Sequence, residues 1–112
     1  MAEREVRIAR TEALFRDVNE RIAESAERFS ARDAEFVCEC ADPACAERVP
    51  ATLDQYEEVR SDGTHFLLAP GHELTEVERV VKRQHKRFVV VEKFNAVVAR
   101  TVRRLDPRTQ SA

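Results

Sequence analysis

All three cysteines of this chain lie within eight residues, where Cys38, Cys40 and Cys45 form a C-x-C-x4-C pattern. Thiolates are soft ligands that suit zinc and iron. Thiols can instead form a reversible disulfide, or pack as small apolar groups. Acidic residues surround these cysteines, and negative neighbours raise a thiol pKa where no cation is present. The segment therefore favours a bound metal ion over a catalytic thiolate.

A structural zinc ion typically takes four Cys or His ligands, so a fourth ligand is needed. His72 is the preferred residue, because Gly71 gives its loop the backbone freedom to approach a metal. His65 is the alternative, at the start of a short strand, and water or Asp42 could complete the site if neither histidine binds. The spacing lacks the paired C-x2-C of common zinc modules, which leaves the metal and the fourth ligand open.

The elements that position these residues begin with a long amphipathic helix. Residues 3–31 contain no Gly or Pro. Apolar side chains recur there at spacings of three and four. At about 1.5 Å per residue the helix is longer than a small core can cover, so its first turns are predicted to project, pair or fray. Phe15, Val18 and Ile22 are the predicted contacts, either with a partner protein or second copy, or with the chain's own sheet.

Residues 34–40 alternate in a way that predicts a strand with Cys38 and Cys40 on one face. Thr52 and Gln55 predict a capping box that opens a helix ending near Arg60. Strands follow at 65–69 and 88–91, and a helix at 94–105. Residues 77–83 fit either a helix or the first strand of a hairpin, and the valines favour the hairpin.

The predicted fold is α+β, with a long N-terminal helix, a small mostly antiparallel sheet, a short middle helix and a C-terminal helix. Residues 1–112 form one domain. It divides into an N-terminal helix at 1–32, a Cys/His-containing α+β core at 34–93 and a basic C-terminal helix at 94–106.

Charge is unevenly distributed along the chain. Acidic residues outnumber basic ones up to residue 78, and the reverse holds from 79 onward. The two parts can attract each other within one fold or between subunits. The basic part could instead bind nucleic acid, through Arg100, Arg103 and Arg104. Aromatic interleaving is sparse there, so this is the less favoured interpretation.

The chain has no apolar run of membrane-spanning length, and its N-terminus is too charged for a signal peptide. A cytoplasmic location is the default expectation. In a reducing compartment, three crowded cysteines indicate metal binding or thiol chemistry more than stable disulfides. P-loop, G-x-G-x-x-G and H-E-x-x-H motifs are absent, and no nucleophile-elbow pattern supports Cys45 with His72 as a catalytic pair.

Three further segments accompany the cysteines: residues 16–22 (RDVNERI), 68–73 (LAPGHE) and 89–93 (VVVEK). Together they resemble a group of small uncharacterised actinobacterial proteins in which a C-x-C-x4-C segment is followed by an APGH motif. The resemblance covers most of the chain, and no activity is established for that group. It implies a bacterial cytoplasmic protein.

These observations predict a small non-enzymatic zinc-binding module with an interaction or regulatory role. One zinc ion would be held by Cys38, Cys40, Cys45 and His72. Two alternatives are a thiol-based redox sensor and a nucleic-acid-binding factor that uses the basic C-terminal region.

Overall fold

The computed structural model describes residues 2–108 and has the α+β fold that the sequence predicts. Helix α1 spans Glu3–Arg28, helix α2 Leu53–Arg60 and helix α3 Ala96–Arg104. Strands β1 (Asp33–Val37) and β2 (Arg48–Thr52) form an antiparallel pair. Strands β3 (His65–Leu68), β4 (Glu78–Gln84) and β5 (Phe88–Lys93) form a second antiparallel sheet in the order β3-β5-β4.

The two shorter helices begin where the sequence provides caps. Thr52 Oγ1 accepts the Gln55 backbone N–H at 3.0 Å, and Gln55 Oε1 accepts the Thr52 N–H at 2.9 Å, which completes the predicted capping box. Asn95 Oδ1 caps α3 by accepting the N–H groups of Val97 and Val98. Residues 78–84 are a strand, which confirms the hairpin interpretation of this segment.

The core lies between the two sheets and the three helices. Phe36 of β1 stacks on Tyr56 of α2, with ring centroids 4.5 Å apart, and so joins the first sheet to the middle helix. Phe66 of β3 is fully buried and contacts two cations: the Arg16 guanidinium lies 4.5 Å and the Lys93 ammonium 4.6 Å from its ring centroid. Both aromatic groups therefore connect elements that are distant in sequence.

The face of α1 that packs on the core differs from the apolar stripe of the sequence. Its buried residues are Ile8, Ala9, Glu12, Ala13, Arg16, Asn19 and Ala23. Phe15 and Ile22 are only partly buried, and Val18 is 39% exposed. Because Ile8 and Ala9 are buried, these early turns pack on the domain rather than project from it.

The polar residues on this buried face have specific partners. Arg16 donates to the carbonyl oxygens of Gly63 and Val102 at 2.8 and 2.7 Å, and Lys93 donates to Glu12 at 2.8 Å. Buried charges are tolerated where they are paired and hydrogen-bonded in this way. A hydrophobicity pattern cannot anticipate such a face. Within residues 2–108, no helix combines the length and the apolar character needed to cross a membrane.

Candidate metal centre

Four side chains converge beyond the end of β3, namely those of Cys38, Cys40, Cys45 and His72. One potential ligand atom from each lies within 4.8 Å of all the others. The His72 Nδ1 atom is 3.7 Å from Cys38 Sγ and 3.6 Å from Cys45 Sγ. Cys38 and Cys40 are buried, whereas Cys45 is only partly buried. This cluster could hold a metal ion, and it contains all four residues preferred from the sequence.

Each sulfur atom in the cluster also accepts a hydrogen bond from the backbone. Ala69 donates its N–H to Cys38 Sγ at 3.2 Å. Backbone groups of Asp42 and Glu47 hydrogen-bond the sulfurs of Cys40 and Cys45 and lower their pKa values, as a donor to a thiolate does. A donor to each sulfur stabilises negative charge there, which is the state in which cysteine binds metals.

Two tight turns bring the later ligands to the first. The Asp42 side chain accepts the Ala44 N–H at 2.9 Å, and its carbonyl accepts the Cys45 N–H at 3.0 Å, which returns the chain towards Cys40. The second turn follows β3. There Gly71 adopts a φ of 87°, a conformation that favours glycine, and the His72 N–H bonds to the Ala69 carbonyl at 3.2 Å.

Strand β1 ends at Val37, so Cys38 and Cys40 follow the strand rather than lie within it. Their segment is nevertheless extended and hydrogen-bonded on two sides. Cys38 donates its N–H to the Glu47 carbonyl at 3.1 Å, and Glu39 donates its N–H to the Leu67 carbonyl at 2.8 Å. The segment thus bridges the two sheets, which fixes the positions of both buried thiols.

Glu39 is a site residue that the sequence pattern did not single out. The alternation of this segment places Glu39 opposite the thiols, yet its side chain is fully buried. Its carboxylate accepts hydrogen bonds from Asn19 Nδ2 at 2.7 Å and from the Leu67 N–H at 2.9 Å. Asn19 also exchanges two 2.8 Å hydrogen bonds with the backbone of Val37. Helix α1 therefore supports the cysteine segment from behind.

The three thiols have different proton affinities. A hydrogen bond from the Cys38 thiol is the largest contribution that lowers the pKa of Cys40, to about 5. The same interaction, with burial, raises the pKa of Cys38 well above its ordinary value. Burial also raises the pKa of Cys45. Without a metal, Cys40 is therefore the thiol of the cluster that loses its proton most readily, ahead of Cys38 and Cys45.

The alternative ligand, His65, lies in a different group. Its Nε2 atom is 3.3 Å from Glu92 Oε2 and 3.6 Å from Asp62 Oδ2. These three residues also lie within 4.8 Å of one another, but Arg79 donates to the Glu92 carboxylate at 2.8 Å. The guanidinium already supplies positive charge to this group, so an ion-pair network explains it. His65 is not among the residues that surround the cysteines.

The predicted partner surfaces lie elsewhere. Phe15, Val18 and Ile22 occupy a partly exposed side of α1, next to Leu14, which is 63% exposed. Arg100, Arg103 and Arg104 have exposed side chains on α3. Binding of a partner at α1, and of nucleic acid at α3, stay predictions.

Comparison with protein-family models, curated proteins and solved structures finds no significant match to the chain. The resemblance to the actinobacterial group stays a prediction. The cysteine–histidine cluster is therefore the feature of this chain from which a function can be inferred.

Proposed function

We propose that this protein is a small non-enzymatic zinc-binding module, in which Cys38, Cys40, Cys45 and His72 hold one ion. The distances between ligand atoms carry the proposal. Zinc–sulfur bonds of about 2.3 Å and a zinc–nitrogen bond near 2.0 Å, arranged tetrahedrally, separate sulfur from nitrogen by about 3.5 Å. The two sulfur–nitrogen distances here are 3.6 and 3.7 Å.

The electrostatics of the cluster support the same proposal. Three thiolates and a neutral imidazole around a divalent cation leave one net negative charge, which the backbone donors at the three sulfurs offset in part. With Nδ1 facing the sulfurs, His72 would bind through that atom and carry its proton on Nε2. In metal sites, residues that bind the ion are typically oriented by further hydrogen bonds to groups that do not bind it.

A structural role follows from which segments the ion would join. The ligands come from the segment that bridges the two sheets, from the turn after it, and from the loop that follows β3. One ion would connect all three, and the free energy of metal binding would stabilise the fold. Four protein ligands leave no open coordination position, unlike a catalytic zinc site.

An interaction or regulatory role is proposed for the rest of the molecule. Helix α1 presents Leu14, 63% exposed, and Val18, 39% exposed, beside the partly buried Phe15 and Ile22. We place the contact with a partner protein on this side of the helix. The adjacent side of the helix holds the cysteine segment through Asn19 and Glu39, so α1 would connect the metal centre to the partner.

Native mass spectrometry of protein purified without added metal or chelator tests the proposal. We expect a mass excess of one zinc ion over the denatured chain, which is lost in Cys38→Ser and His72→Ala. His65→Ala is the matched control, because it removes a partly buried histidine outside the cluster, and it should retain the ion.

A folded protein with three titratable thiols and no bound metal would contradict the proposal and leave two alternatives, the redox sensor and plain core packing of the thiols. Oxidation separates them: in a redox sensor, one equivalent of peroxide should join two thiols as a disulfide, with two water molecules as the other product. Equal loss of zinc in His72→Ala and His65→Ala would contradict the assignment of the fourth ligand.

A further inference from the structure

The turn between β4 and β5 carries an exposed group of basic side chains. Arg83, Lys86 and Arg87 are all exposed. The turn is well defined: Gln84 pairs with Phe88, the Arg87 N–H donates to the Gln84 carbonyl at 3.0 Å, and His85 adopts a φ of 53°. We call Arg83, Lys86 and Arg87 the basic turn.

These cations differ from the basic residues nearby in lacking an acidic neighbour. Arg79 pairs with Glu92 at 2.8 Å, and Lys82 pairs with Glu58 at 3.1 Å. For the basic turn, no carboxylate within residues 2–108 lies at ion-pair distance. Like charges held this close repel one another, and an anionic partner would relieve that repulsion.

The basic turn leaves the same end of the sheet as the loop that carries His72. Strands β3 and β4 both run antiparallel to β5, so they run parallel to each other. Leu68, the last residue of β3, pairs with Val89, and Gln84, the last residue of β4, pairs with Phe88. The loop after β3 and the turn after β4 therefore begin at the same end of the sheet. They are separated laterally by two strand spacings, or about 10 Å.

We propose that the basic turn binds the phosphate backbone of duplex DNA. Single-stranded nucleic acid is usually held by exposed aromatic side chains that stack on bases, but Phe88, the aromatic residue beside the turn, is only 1% exposed. Modules that recognise duplex RNA contact its 2′-hydroxyl groups and phosphates over about 16 base pairs, which is more than a single turn can span. Three exposed cations, with no stacking surface, fit duplex DNA, which presents a dense row of phosphates.

The contact involves few charges, so it is weak, non-specific and salt-dependent. Three phosphate contacts predict a slope of about −2.7 for the logarithm of affinity against the logarithm of salt concentration. Affinity then falls about 40-fold between about 50 and 200 mM salt. The proposal goes beyond the zinc-dependent role, since it concerns different residues.

Fluorescence anisotropy with a short labelled DNA duplex tests this proposal on the full chain as purified. Arg83→Ala, Lys86→Ala and Arg87→Ala together should abolish the salt-dependent binding. The matched control is Arg7→Ala, Arg10→Ala and Arg21→Ala, which removes the same number of charges from exposed positions of α1. This control should bind within about twofold of the unaltered protein. Circular dichroism confirms that both variants fold.

Three results would overturn the proposal: no binding at about 50 mM salt, equal loss of binding in the two triple variants, or equal displacement of the duplex by polyglutamate. Preferential binding of single-stranded DNA or of duplex RNA would overturn the choice of duplex DNA. Native mass spectra of the same samples report the zinc content separately. Absence of DNA binding by the unaltered protein, with the ion still present, would count against this inference alone.

Discussion

At the residue scale, the candidate metal centre consists of four side chains and the backbone groups that contact them. The sulfurs of Cys38, Cys40 and Cys45 each accept a backbone hydrogen bond, and these hydrogen bonds stabilise the thiolate form of the cysteines. Only Cys40 has a lowered pKa, of about 5, while the pKa values of Cys38 and Cys45 are raised. Binding of the proposed zinc ion would therefore displace protons from the other two thiols.

Zinc uptake at pH 7 should release about two protons per ion, one each from Cys38 and Cys45. Isothermal titration calorimetry in buffers of different ionisation enthalpy measures this number. Cys40→Ser, which removes the group that is already ionised, should leave the number of protons nearly unchanged although affinity falls. Cys45→Ser should lower it by about one, because it removes a protonated thiol and leaves the Cys38–Cys40 hydrogen bond in place. Release of no protons, or the same number in Cys45→Ser as in the unaltered chain, would contradict the account.

Residue types and spacing were sufficient to predict which four residues come together. C-x-C-x4-C places the thiols near one another, and Pro70-Gly71 predicts a turn that presents His72. The role of Glu39 could not be read in the same way. Alternation shows that Glu39 points away from the thiols, but only the packing of α1 and β3 on that side makes the carboxylate buried rather than solvated.

At the element scale, α1 supports the cysteine segment through a polar contact. Asn19 joins the backbone of Val37 and the carboxylate of Glu39 to the helix. The sequence predicts the existence of α1 well, because no Gly or Pro interrupts it. It predicts the wrong buried face, since Glu12, Arg16 and Asn19 face inward where hydrophobic periodicity places polar residues outside. Their partners lie in segments distant in sequence, which no local pattern contains.

Asn19→Ala should lower the free energy of unfolding by about 3 kcal/mol, because it leaves several buried groups without partners, at about 1 to 3 kcal/mol each. It should also weaken zinc binding about 10- to 100-fold by loosening the segment that holds Cys38 and Cys40. Urea unfolding and competition with a chromophoric chelator measure the two effects.

Arg21→Ala is the control for this change, because Arg21 is exposed on the same helix. It should alter stability by no more than about 0.5 kcal/mol and leave zinc affinity unchanged. If Asn19→Ala behaved like this control, the proposed link between α1 and the metal centre would be wrong.

At the scale of the whole molecule, acidic and basic parts of the chain meet within one fold, as the charge distribution allowed. Arg108 near the C-terminus contacts Glu20 of α1 and Glu57 of α2. In the interior, the Lys93 ammonium lies between the carboxyl groups of Glu12 and Glu78. Two carboxyl groups share one cation there, and burial raises the pKa of Glu12 to about 8.

This raised pKa predicts how stability depends on pH. Between the ordinary value of 4.5 and about 8, Glu12 keeps a proton in the folded chain that it loses on unfolding. Its contribution to the free energy of unfolding is therefore fully present below pH 4.5 and falls as pH rises through 8, by up to about 1.4 kcal/mol per pH unit. Glu12→Gln stays neutral and should lack this slope.

Urea unfolding from pH 5 to 8 on zinc-saturated protein measures the difference. Any pH dependence of zinc binding is common to the variants and cancels when their slopes are compared. Glu24→Gln, at an exposed position of the same helix, should follow the unaltered protein. Identical slopes for Glu12→Gln and the unaltered protein would show that Glu12 is ionised in the folded state.

The most direct test of the central claim is X-ray absorption at the zinc edge of the protein as purified. The account predicts a first shell of three sulfur atoms at about 2.3 Å and one nitrogen atom at about 2.0 to 2.1 Å, with the outer-shell scattering of an imidazole ring. A shell of oxygen and nitrogen atoms alone, or protein that contains no zinc, would contradict it.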